Sequence, residues 1–125
     1  MNQPAARRAC VPGANGVMSA RAVARHYAAL LPGGVDGVEL LPPERVRRAT
    51  AVRPHGLAED GSAQQALGYA LGSFSPGSFG HGGYGGSSGW CDPVSCVAFG
   101  FTHNLFSPRD CQAPIYRELR RQLGS

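Results

Sequence analysis

The sequence contains no lysine, and its 12 basic residues are all arginine. An arginine side chain stays protonated near neutral pH and cannot serve there as a base or an amine nucleophile. Schiff-base chemistry, Walker-type phosphate loops and Ser-x-x-Lys nucleophile pairs are therefore all excluded for these residues. Long apolar runs are also missing: Tyr27 to Leu31 is the longest near a helix, far short of the ~20 residues that span a bilayer. The first sixteen residues lack the apolar core of a secretory signal. These features predict a soluble chain and leave its compartment open. The four cysteines, Cys10, Cys91, Cys96 and Cys111, follow no Cys-x-x-Cys spacing, so reduced thiols are expected.

Glycine is abundant, at 18 residues, and 10 prolines accompany it in a chain of 125. That length suits one domain, and the composition predicts many turns and close backbone approaches. The formal net charge is +4. Arginines cluster at Arg45, Arg47, Arg48 and Arg53, and again at Arg117, Arg120 and Arg121. Aromatic residues are not interleaved with either cluster, so both read as solvated helix faces rather than as a nucleic-acid surface.

Residues 1–18 read as an irregular lead-in, punctuated by Pro4, Pro12, Gly13 and Gly16. Ser19 is a good N-cap, and Val23, Tyr27, Leu30 and Leu31 recur at helical spacing up to the Pro32-Gly33-Gly34 stop. Asp36-Gly37 predicts a turn, and Pro43 opens a second helix to Thr50. The polar stretch from Val52 to Gln65 reads as a loop. Strand-like segments follow at Leu67–Phe74, Phe79–Gly82, Gly86–Cys91 and Cys96–Asn104, the last two joined as a hairpin across Asp92-Pro93-Val94-Ser95. A last helix is expected over Ala113–Leu123, with Ile115, Leu119 and Leu123 on one side. This order predicts an α+β fold with helices against one antiparallel sheet.

Three familiar patterns fail on context. Gly80-x-Gly82-x-x-Gly85 matches a dinucleotide fingerprint, but a strand follows it where a helix N-terminus should receive the phosphates. Gly85-x-Ser87-x-Gly89 matches a nucleophile elbow, for which Asp92 or Asp110 and His103 could complete a triad, yet no helix follows Ser87. His81, Cys91, Cys96 and His103 are suitable metal-ligand types without a recognised spacing. Cys91 and Cys96 flank the hairpin loop, where a disulfide is conceivable and two small buried side chains are the default. His26 and His55 stand alone.

Taken together, several segments resemble the serine β-lactamase-like superfamily, which includes class C β-lactamases, penicillin-binding-protein relatives and esterases. The resemblance runs from Asn15 to about Pro108. It starts with Asn15-Gly16, Ser19 to Arg25 and Tyr27 to Leu30, and continues through Gly37 to Glu44. The more specific part is Leu67-Gly68-Tyr69-Ala70-Leu71-Gly72, then Phe79 to Gly86, then Asp92-Pro93.

The resemblance implies the C-terminal portion of such a domain over 19–125, a partial β-lactamase/transpeptidase-like fold whose antiparallel strands are flanked by helices. Of the family's three catalytic motifs it implies only the Lys/His-x-Gly triplet of a sheet-edge strand, at His81-Gly82-Gly83. Gly82 and Gly83 would let substrate approach the backbone, the Tyr84 N–H would act as one oxyanion donor, and Asn104 would contact substrate. No Ser-x-x-Lys can exist without lysine, and none of Tyr27, Tyr69, Tyr84 or Tyr116 begins a Tyr-x-Asn. The expectation is a hydrolase portion without its own nucleophile. It needs no cofactor or metal and would be completed by the N-terminal part of the same domain to act on a small ester or amide. An interaction module that offers a sheet edge is the alternative.

Overall fold

A computed structural model describes residues 3–11, 13, 16–52, 64–104 and 111–124. His55, Arg53, Asn15 and Asp110 lie outside these residues, as does most of the 52–65 stretch. The described elements run α1 (Pro4–Arg8), α2 (Ala20–Ala28), α3 (Pro43–Ala49), β1 (Gln64–Gln65), β2 (Ala70–Leu71), β3 (Phe79–Gly82), β4 (Ser88–Asp92), β5 (Val97–Phe101) and α4 (Ala113–Leu123). The strands form one antiparallel sheet in sequential order, β1-β2-β3-β4-β5. The fold is the expected partial α+β arrangement.

Helix α2 begins as expected, with the Ser19 hydroxyl accepting from the Ala22 N–H at 3.2 Å. Beyond it, Asp36 and Gly37 adopt φ of 49° and 74° in a tight turn closed by Val35 and Val38. Helix α3 starts on Pro43 and ends at a Thr50 cap, whose hydroxyl donates to the Val46 carbonyl at 2.9 Å. The β4–β5 hairpin is present with Asp92 paired to Val97, so its loop is Pro93–Cys96, one residue later than the sequence suggests. Asp92 explains the shift. Its carboxylate accepts from the Val94 N–H at 2.9 Å and from the Ser95 hydroxyl at 2.8 Å, which ties the last residue of β4 to the turn.

Several expectations are corrected. Pro4–Arg8 forms one short helix inside the lead-in. The apolar segment 67–74 supplies only Ala70 and Leu71 as strand, because Ser78 bends the chain: its hydroxyl accepts from the Phe74 and Ser75 N–H groups, each at 3.0 Å. Cys91 and Cys96 do not face each other. Cys91 is buried opposite Ala98, whereas Cys96 is exposed in the loop with φ 55°, and both are free thiols.

Register divides the sheet into two faces. On one face Phe79, Cys91 and Ala98 align across β3, β4 and β5 and meet Tyr27, Leu30, Leu31 and Val46 from the helical side. Burial also pushes the Cys91 thiol up to about 12. On the other face Phe74 stacks on Trp90 with ring centroids 4.1 Å apart, and Tyr116 of α4 meets Phe74, Trp90 and Phe99 edge-on. Phe79 and Trp90 are each 2% exposed. The described elements therefore cover these two side chains, while Phe99 and Phe101 stay half-buried.

Candidate functional site

Helix α2 crosses the sheet where it has no side chains. Gly89 of β4 pairs with Gly100 of β5, and a Cβ on Gly89 would come within 2.4 Å of Tyr27 and Val23, one on Gly100 within 2.3 Å of the Ala20 carbonyl. The helix thus lies almost on the strand backbones. This close seat brings Tyr27 to the end of β3, where burial pushes its hydroxyl up to about 12, partly offset by a hydrogen bond with the His81 backbone.

Beside this contact is an open cleft of about 860 Å³. His81, Gly82, Gly83 and Tyr84 all line it, so the residues nominated from sequence form one continuous wall. Within β3, strand β2 pairs only with Phe79 and Gly80. Along His81 and Gly82, the described residues therefore pair with β3 only on its β4 side. The Gly83 N–H donates to the Ser87 carbonyl on that side at 2.6 Å. Since N–H groups alternate along a strand, that of Gly82 points away from β4, toward the side that β2 has left. A Cβ on Gly82 would meet nothing within 4 Å.

The turn after β3 is closed by the Gly86 N–H donating to the Gly83 carbonyl at 3.1 Å, with Gly85 and Gly86 at φ 103° and 102°. Only glycine adopts such angles without strain. His81 is exposed, and its Nδ1 is hydrogen-bonded to the Gly82 carbonyl. A carbonyl only accepts, so Nδ1 is the donor in this hydrogen bond.

Asn104 is exposed and does not line the cleft, whereas its neighbour His103 does. His103 is a residue that the resemblance passes over. Its Nε2 would lie 3.1 Å from a Cβ on Gly86, and its ring stacks on Phe101 with centroids 5.6 Å apart. Extending the observed Ser88–Phe101 register two residues toward the open end sets His103 against Gly86, whereas the expected loop over Asp92–Ser95 would have set it against Tyr84. His26 also reaches the cleft.

No described helix follows Ser87, which leads directly into β4. The Ser88 hydroxyl donates to Gln112 and lies 3.2 Å from the Tyr116 hydroxyl. It is thereby occupied against α4. Among the described residues no group of three or more His, Cys, Asp or Glu side chains could hold a metal ion, and His81, Cys91, Cys96 and His103 form no such group. Arg45, Arg47, Arg48, Arg117, Arg120 and Arg121 are all exposed. No described helix is long and apolar enough to cross a membrane.

A helix-backed antiparallel sheet thus presents the backbone of a glycine-rich strand to an open cleft. The Beta-lactamase family model matches residues 1–122, and the chain belongs to the β-lactamase-related serine hydrolases. It is 44% identical over 106 residues to the esterase/beta-lactamase LipL of Mycobacterium tuberculosis (strain ATCC 25618 / H37Rv), a match that covers 78% of this chain and 24% of that protein. The chain thus spans about a quarter of that relative's length. No solved structure matches it.

Proposed function

We propose that residues 19–125 act as the substrate-facing C-terminal portion of a hydrolase domain that transfers the acyl group of an ester or amide, with residues 1–18 as a lead-in. In this reading His81-Gly82-Gly83 is the substrate-facing triplet and the Tyr84 N–H is one oxyanion donor, while Asn104, exposed three residues beyond β5 and outside the cleft lining, would contact only a substrate that extends past the cleft. The observation that carries the proposal is the side of β3 at Gly82 along which no described strand pairs, where substrate backbone or carbonyl can lie against the strand without a side chain on Gly82 intervening. Preorganised backbone donors of this kind stabilise a developing oxyanion.

The activated serine and its base come from the N-terminal part of the same domain, on the same gene or on a separate chain. A serine hydroxyl is a poor nucleophile until a neighbouring base takes its proton, and without lysine the bases in this chain are histidines and carboxylates. Among the described residues, Ser87 and Ser88 have no hydrogen bond to an imidazole. An oxyanion donor without a nucleophile lacks a step worth several orders of magnitude.

The test is turnover of a chromogenic cephalosporin and a p-nitrophenyl ester by the purified chain, read against a His81→Ala control. The expected result is no difference between the two and no covalent labelling by a fluorophosphonate. Labelling of Ser87 would overturn the proposal in favour of a self-contained nucleophile. The alternative, a non-catalytic module binding a partner strand, draws on β5, the last strand of the sheet, whose five residues Val97–Phe101 carry no charge and no proline.

A further inference from the structure

We infer that the cleft accepts an uncharged, apolar acyl or alkoxy group and discriminates against a ligand that carries a carboxylate, because apolar side chains converge on it and, among the described residues, no guanidinium group does. The inference rests on the reading of this cleft as the substrate site and specifies its chemistry.

Val17, Met18 and Tyr84 line the cleft while 76%, 51% and 96% exposed, and half-buried Phe101 joins them. Single exposed apolar residues are ordinary, but several converging on one concavity mark a surface that gains by being covered. Among the described residues no arginine, aspartate or glutamate lines it. Arg7 and Arg8 border a separate hollow that shares only Val17 with the cleft, and Arg21 and Arg25 border another that shares no residue with it.

Among the described residues, the cleft is lined by the phenols of Tyr27 and Tyr84 and by three imidazoles, His26, His81 and His103. Tyr27 keeps its proton because burial raises its pKa, and His81 has one nitrogen committed to the Gly82 carbonyl. A carboxylate taken into this cleft would give up water without meeting a fixed cation that replaces it, which is costly. An alkyl or aryl ester group would cover Met18, Phe101 and Tyr84 and leave its carbonyl to the backbone of β3.

Because binding does not require a nucleophile, the chain itself can be tested. Amide chemical shifts of the ¹⁵N-labelled chain are followed during titration with valerophenone, an uncharged isostere of an aryl ester, and with cephalothin, which carries a carboxylate. The ketone is expected to shift the Gly82 and Gly83 amides with an affinity at least about tenfold higher than the cephalosporin's. Tyr84→Ala should weaken the ketone several-fold, and Met18→Arg should raise cephalothin affinity. Both side chains are exposed, so neither change threatens folding. Equal or tighter binding of cephalothin at the same amides would overturn the inference and leave the proposed function standing. If neither ligand moves those amides, both readings fail.

Discussion

Two glycines set the distance between helix and sheet, and a third sets the space left for substrate. Gly89 and Gly100 lie under α2 with no room for a methyl group, whereas Gly82 faces open space. Gly100→Ala must push the Ala20–Ala24 backbone outward, an overpacking expected to cost about 1–3 kcal/mol. Gly82→Ala should leave stability within about 0.5 kcal/mol of the parent, as surface changes do. Denaturant midpoints of the two variants, compared at equal m, check the contrast. The triplet at His81 was legible because its residue types stand together in the sequence. The role of Gly100 was not, since it depends on where a helix eighty residues earlier comes to rest. His103 falls between these cases: it follows from the observed hairpin register, while a family pattern points one residue further, to Asn104.

At the scale of elements, helices were read well where capping chemistry is local, as at Ser19 and Pro43, and strands were overextended where a turn depends on a side chain several residues away, as at Ser78. The seat of α4 shows the same limit. Its apolar stripe suggests Ile115, Leu119 and Leu123 as the buried side, yet Ile115 and Leu123 are 37% and 40% exposed. The contact with the sheet is made instead by Tyr116, with Gln112 reaching the Gly86 carbonyl and Arg120 lying over the Phe74 ring at 5.6 Å. The Tyr116 hydroxyl accepts from the Trp90 indole N–H at 2.7 Å and donates to Gln112. Tyr116→Phe strands a buried indole donor, so a loss of about 1–3 kcal/mol is expected. Trp90 is the chain's one tryptophan. Its emission should shift if α4 separates from the sheet, and an unchanged spectrum with unchanged stability would show that α4 is not held through this bond.

For the whole molecule, the two buried faces respond to pH in opposite directions, and the signs follow from which protonation state each face holds. Asp92 is 3% exposed. Burial pushes its carboxyl up, but the hydrogen bonds from Val94 and Ser95 outweigh this and hold it below its ordinary value. Its contribution is therefore complete above about pH 4 and is lost as pH falls through the lowered value. Glu118 is lowered too, through its hydrogen bonds to Arg121 and Gln122, but on an exposed helix face such a pair contributes little. On the face toward α2 the order reverses. Cys91 is raised from 9.0 to about 12, first by burial and then by the nearby Asp92 charge, so it stabilises the fold in its neutral form. That contribution is complete below pH 9 and is lost as pH rises toward 12, because the unfolded chain releases the proton earlier. Urea midpoints measured across pH should thus form a plateau with an acid limb that flattens in Asp92→Asn and persists in Glu118→Gln. The alkaline limb should become shallower in Cys91→Ala, leaving the part owed to Tyr27, which burial also raises to about 12, and at some cost in overall stability, since that change also removes a buried side chain. An alkaline limb equally steep in Cys91→Ala would mean that the thiol is not held neutral by the α2 face, and that the close seat of the helix on Gly89 and Gly100 does not exclude water there.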